Sequence, residues 1–110
     1  MTKEKRAAHR LLCSDLVSVK WGLKQSVAVL EDISTWGAGF QLPDPIAAGT
    51  PVEMIATTSR WCGIVRHCSF HYDAYCVGVQ FDPATPWLPS QYQPAHELDT
   101  RLLHTAICCI

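Results

Sequence analysis

The sequence contains no hydrophobic run that approaches the ~20 residues of a membrane-spanning helix, although 48% of its 110 residues are hydrophobic. Its first ten residues, MTKEKRAAHR, are charged and run into LLCSD too soon for the apolar core of a signal peptide. A chain of this length can bury one hydrophobic core. We therefore expect a single cytoplasmic globular domain without membrane insertion.

Metal-binding spacing is also missing, although the sequence has six cysteines and five histidines. No Cys-x-x-Cys pair occurs, and a zinc site needs about four converging ligands. On one extended strand, Cys62 and Cys68 have the same parity and His67 and His71 the other, which predicts opposite faces. We expect no metal site, and without a secretory signal we expect reduced thiols that pack as small hydrophobic residues.

No catalytic constellation can be found in the sequence. No glycine-rich phosphate loop precedes a helix, and no histidine has a serine or cysteine partner that the sequence can place. We therefore predict that the protein is not an enzyme, with no catalytic residue and no cofactor.

Charge is distributed unevenly, although the net charge is only −1. Residues 1–24 contain six lysines and arginines against two acidic residues, whereas the remainder contains three against eight. The small net charge argues against a nucleic-acid partner. The distribution predicts a basic N-terminal segment attached to an acidic body. A basic segment of this kind is ordinarily a solvated tail.

Alternating hydrophobic patterns predict six β-strands and an all-β fold. The segments are LVSVKW, SVAVL, GAGFQL, PVEMIA, RWCGIVRHCSF and AYCVGVQF, separated by glycine, proline or turn sequences. Short antiparallel strands at this spacing favour a six-stranded antiparallel β-barrel. After Phe81 the sequence becomes proline-rich, and Leu98, Leu102, Leu103 and Ala106 then recur at helical spacing. Residues 85–110 are thus predicted to be an irregular arm and a short C-terminal helix packed on the barrel.

Two short motifs are informative together. RAAHR contains Arg6 and Arg10, and DISTWG, at a predicted hairpin, contains Asp32, Ser34 and Gly37. Either motif alone is common. The structural alternative is that Asp32 and Ser34 cap a tight turn while the arginines are exposed to solvent. Their order and the six-strand context resemble the PilZ domain family, bacterial receptors for cyclic di-GMP. The resemblance covers about residues 5–82 and includes GIVRH and VGVQF, similar to the last two strands of the family.

The resemblance implies a PilZ-type β-barrel over residues 1–84, with 1–12 as a flexible ligand-binding arm. It also implies cyclic di-GMP as the ligand, bound by Arg6, Arg10, Asp32, Ser34 and Gly37. Arginine can pair bidentately with guanine or phosphate, and a carboxylate can accept from the N1–H and N2–H groups of guanine. A serine hydroxyl can bond a phosphate or base atom, and glycine permits close backbone approach. Trp36 could cover a base or pack on the barrel, and packing is the safer interpretation.

Two hypotheses for function follow. The first is a receptor or adaptor whose N-terminal arm closes over cyclic di-GMP and which signals to a partner protein that the sequence does not identify. The family resemblance connects such proteins with motility, adhesion or exopolysaccharide output. The alternative is a PilZ-like structural or protein-interaction domain that does not bind the nucleotide. Oligomeric state and ligand number are not determined by the sequence.

Overall fold

A computed structural model describes residues 10–94 as a closed six-stranded barrel. The strands are β1 Leu11–Trp21, β2 Lys24–Ser34, β3 Gly37–Leu42, β4 Pro51–Ala56, β5 Ser59–His71 and β6 Ala74–Phe81. Neighbours are antiparallel in the order β1-β2-β3-β6-β5-β4, and β4 closes the barrel by pairing with β1. The prediction of an all-β, six-stranded antiparallel barrel is confirmed.

Turn residues lie where the chain must reverse. Gly22, with φ 58°, follows β1, and Tyr72, with φ 60°, lies between β5 and β6. Both positions require the left-handed conformation, which glycine adopts without steric cost. These turns give adjacent strands that pair as hairpins, so the strand order follows largely from short local connections.

The barrel interior is apolar because alternate residues of each strand face inward. Phe40, Leu30, Val19 and Trp61 are among the largest fully buried side chains. The proline-rich segment after β6 contains no helix or strand up to residue 94, as predicted. It nevertheless contributes two large side chains to the core, Trp87 and Tyr92, which the sequence interpretation did not anticipate.

Some predictions concern residues outside 10–94. The C-terminal helix and most of the basic arm, including Arg6, lie outside the described residues. Leu11 and Leu12 already belong to β1 and pair with Ile33 and Asp32, so a movable arm would be confined to the residues before them. No helix within residues 10–94 has the length and hydrophobicity to span a bilayer.

Candidate functional site

A cavity of about 490 Å³ opens on the outside of the barrel beside the β2–β3 hairpin. Arg10, Asp32, Ser34 and Gly37 all line it. These are four of the five residues that the sequence predicted for a ligand site. The two halves of the double motif therefore meet in the fold, although 22 positions separate Arg10 from Asp32 in the chain.

Strand register explains why Asp32 and Ser34 both reach this cavity. A bulge at Glu31 interrupts the pairing of β2 with β3, so that Leu30 pairs with Phe40 but Asp32 pairs with Gly39. Leu30 is buried in the core, and Asp32 instead lines the cavity. Bulges re-aim the side chains that follow them and are common next to functional sites. Here the bulge turns a core-forming strand into one wall of a polar cavity.

Asp32 is only 1% exposed, the one buried charged residue in the described part of the chain. Its Oδ2 atom forms an ion pair with the guanidinium of Arg10, whose side chain is 51% exposed. Its Oδ1 atom is buried and has no hydrogen-bond donor among the described residues. A buried acceptor without a donor is costly, at about 1–3 kcal/mol. Among the described residues, Asp32 therefore has one oxygen paired with Arg10 and one oxygen without a hydrogen-bond donor.

Burial raises the pKa of Asp32 above its ordinary value of 3.8, because a desolvated carboxylate is disfavoured. The Arg10 guanidinium, the backbone amide of Gly39 and the positive charge of protonated His67 act in the opposite direction, with smaller effect. The carboxylate is thus held in a setting where an added hydrogen-bond donor or positive charge would favour its ionised form.

Ser34 and Gly37 face each other across the first pair of the hairpin. The Ser34 hydroxyl donates to the Gly37 carbonyl at 3.5 Å, which is long for a hydrogen bond between oxygens. A Cβ atom on Gly37 would lie 2.6 Å from the Val79 carbonyl oxygen on β6. Glycine at position 37 is therefore required by the close approach of β3 to β6, whatever else it permits.

Three cavity residues were missed as site residues by the sequence interpretation: Trp36, Arg66 and His67. Trp36 is 50% exposed at the hairpin turn and lines the cavity, so half of its surface is covered and half faces solvent. Arg66 and His67 lie on β5, more than 50 residues after the arginine motif, and the sequence offered no pattern that connects them with the site. Their position depends on pairing between β5 and β6.

The same stretch of β5 corrects the analysis of the cysteines. The register of β5 on β6 shifts between Val65 and His67, so strict alternation does not continue along the strand. Cys62 is exposed whereas Cys68 packs against the core, so the prediction that they share a face is wrong. Within residues 10–94 no group of three potential metal ligands converges.

Thiol chemistry also differs from expectation at one position. Cys13, Cys62 and Cys68 are free thiols, as predicted. Cys76, in contrast, is disulfide-bonded, so the expectation of reduced cysteines fails there.

Comparison with known proteins agrees with the geometry of the chain. A family model described as the PilZ domain matches residues 4–87, which is most of the chain and includes both motifs and all six strands. A comparison with curated proteins returned no match. PilZ domains form a family of cyclic di-GMP receptors and adaptors.

Proposed function

The chain belongs to the PilZ family, and on that premise we propose that it binds cyclic di-GMP and passes the signal to a partner protein. The observation that carries the proposal is the Oδ1 atom of Asp32, a buried acceptor at the cavity that has no donor among the described residues. Guanine carries two donors, N1–H and N2–H, on one edge. A guanine edge placed against Asp32 would supply the missing donor.

The cationic and aromatic neighbours of Asp32 suit the rest of such a ligand. Arg10 is half exposed at the cavity, and its planar guanidinium can pair with a phosphate or with the O6 and N7 atoms of guanine. Trp36 exposes half of its surface beside the same cavity, and base–aromatic stacking is worth about 1–3 kcal/mol per base. Arg6 would join this set from the arm.

The ion pair between Arg10 and Asp32 suggests how binding could change conformation. Arg10 forms an ion pair with Oδ2, and Oδ1 has no donor among the described residues. A guanine that donates from both N1–H and N2–H, however, needs both oxygens of Asp32. Binding would then move Arg10 from the carboxylate to the base or phosphate. Because Arg10 directly precedes β1, its displacement would carry the arm with it and change the surface offered to a partner.

Titration calorimetry with cyclic di-GMP tests binding, with GTP and cyclic di-AMP as controls. Adenine has no N1–H and no N2 amino group, so cyclic di-AMP should not replace cyclic di-GMP. Asp32→Ala, Arg10→Ala and Arg6→Ala should each weaken binding by about 1–3 kcal/mol, the scale of one bidentate base contact. Arg60→Ala, on the exposed side of β5 outside the cavity, is the matched control and should bind like the wild type.

Hydrogen exchange of residues 4–10, which precede β1, tests the conformational part. We expect greater protection with cyclic di-GMP than without it, because Arg6 and Arg10 then gain charged partners. Equal protection in both states would contradict arm closure even if binding were measured. Absence of binding by the folded wild-type protein would instead favour the alternative function, a structural or protein-interaction domain.

A further inference from the structure

A β-bulge on β5 places two cationic side chains beside the cavity. Val65 pairs with Val79 and His67 pairs with Gly78, so Arg66 is the extra residue in the ladder. Val65 points into the core, whereas Arg66 and His67 are both exposed and both line the cavity. In an unbroken strand, two consecutive side chains would point to opposite faces. The bulge puts both on the same side.

The imidazole of His67 lies directly over the backbone of Gly78. A Cβ atom on Gly78 would stand 2.2 Å from His67 Nε2 and 2.6 Å from Cε1, so no other residue type leaves room for the ring in this position. His67 is thereby turned along the outer face of the sheet, toward the interior of the cavity.

A continuous row across four strands connects His67 with Asp32. Asp32 on β2 pairs with Gly39 on β3, Gly39 pairs with Gly78 on β6, and Gly78 pairs with His67 on β5. Three strand spacings of ~4.8 Å separate the two ends by at most ~14 Å. The two residues between them in this row are glycines, and the His67 imidazole covers the backbone of Gly78. The floor of the cavity along this row is therefore glycine backbone at Gly39 and an imidazole ring over Gly78, without a side chain from β3 or β6.

The charges around this floor favour an anion at the β5 end. The ionisable groups that face His67 across the cavity are Arg10 before β1, Asp32 on β2 and Arg66 on β5, while β3 and β6 contribute no ionisable group to the lining. Arg10 and Asp32 compensate each other. Arg66 forms no ion pair within the described residues, so its charge is available to a ligand.

We propose that Arg66 and His67 form a second, cationic wall that binds a phosphate of cyclic di-GMP while Asp32 binds a guanine. This inference rests on the proposed function, because it takes cyclic di-GMP as the ligand. Phosphodiesters stay charged at neutral pH, and both a guanidinium and an imidazole carry N–H groups that can donate to phosphate oxygens.

Titration calorimetry with cyclic di-GMP tests this wall with the full chain. His67→Gln and Arg66→Gln should each weaken binding by ~10-fold, the scale of one hydrogen bond to a charged group.

His71→Gln is the matched control, an exposed histidine on the same strand that does not line the cavity. It should keep the affinity of the wild type. Thermal midpoints equal to the wild type would show that the exposed substitutions leave the barrel folded.

The outcomes separate the inference from the function on which it rests. If Asp32→Ala loses affinity while His67→Gln and Arg66→Gln bind like the wild type, the second wall is overturned and the proposed function stands. If the folded wild type does not bind cyclic di-GMP, both are overturned. An equal loss of affinity in His71→Gln would also contradict the wall, since that residue does not line the cavity.

Discussion

Two adjoining regions of the barrel differ in whether their buried polar groups have hydrogen-bond partners. One is the aromatic plug formed by Trp61, Phe81, Trp87 and Tyr92, and the other is the cavity around Asp32. In the plug, Trp87 Nε1–H donates to the Tyr92 carbonyl at 2.8 Å and the Tyr92 hydroxyl donates to Asp15 Oδ2 at 2.6 Å. In the cavity, Asp32 Oδ1 lacks a donor among the described residues.

Burial acts in both regions but with different results. Burial, together with the adjacent Asp15 carboxylate, raises the pKa of Tyr92, which keeps the phenol protonated and able to donate. Burial of Asp32 instead leaves part of a carboxylate unsatisfied, at a cost in stability. The comparison indicates that these polar groups of the plug have hydrogen-bond partners, whereas the cavity leaves an acceptor without a donor among the described residues. A ligand donor would offset the cost of that acceptor.

The two regions are joined by the β2–β3 hairpin. The Trp87 amide donates to the Thr35 carbonyl at 2.9 Å, and the Phe81 amide donates to the Trp36 carbonyl at 2.8 Å. The turn that carries Trp36 is thus held by backbone bonds from the plug segment. A rigid support of this kind keeps a binding residue in position before the ligand arrives.

Substitution of one tryptophan in each region should separate an effect on stability from an effect on binding. Trp61 is 1% exposed and stacks on Phe81 at a centroid distance of 6.2 Å, whereas Trp36 is 50% exposed. Trp61→Ala should lower the free energy of unfolding by about 3–5 kcal/mol, as is usual when a large aromatic side chain is removed from a core. Trp36→Ala should change it by less than about 0.5 kcal/mol but weaken cyclic di-GMP binding.

Denaturant unfolding and calorimetric titration of both variants measure the two effects. The folded fraction of Trp61→Ala should keep the dissociation constant of the wild type. A large stability loss in Trp36→Ala would show that the cavity is part of the stabilising core, and the comparison would then fail.

The pH dependence of the free energy of unfolding measures the cost of burying the Asp32 carboxylate. Its folded-state pKa is raised above the ordinary 3.8, so between these two values the folded state holds a proton that the unfolded state has released. The contribution of this group to stability is therefore greatest below pH 3.8 and falls as pH rises through the folded-state value. Without ligand, Asp32→Asn should gain stability relative to the wild type over that window, on the order of 1 kcal/mol.

Urea unfolding of both proteins at a series of pH values provides the measurement. A difference between variant and wild type that does not change with pH would contradict the raised pKa. Asp73→Asn, in the exposed β5–β6 turn, is the control for the removal of a carboxylate from the surface.

The sequence predicted the strands well because each strand is specified by local alternation and local turns. Gly22 and the Tyr72–Asp73 turn mark reversals that need no tertiary information. The sequence also placed Arg10 and Asp32 in one site, because both motifs can be recognised in it and the family resemblance brings them together.

The β5 side of the cavity could not be predicted in the same way. Whether Arg66 and His67 share a face depends on a bulge, and the bulge depends on how β5 pairs with β6. The same one-residue shift put Cys68 on the opposite side of the strand from Cys62, because every side chain after a register shift changes side. The half-exposure of Trp36 was not visible in the sequence, since a half-exposed and a packed tryptophan look alike there.

The smallest expected effect comes from the Arg60–Glu53 ion pair, which contrasts with Arg10–Asp32. Arg60 Nη1 lies 2.9 Å from Glu53 Oε2, but the side chains are 66% and 25% exposed, so water and salt screen the attraction. Arg60→Ala should lower the free energy of unfolding by no more than about 0.5 kcal/mol, and this loss should vanish as salt is raised. Arg10→Ala should cost more, because it leaves a buried carboxylate without its cation. Denaturant unfolding at low and high salt compares the two. If Arg60→Ala proved the more destabilising, the burial of Asp32 would not be what distinguishes the cavity from the rest of the barrel surface.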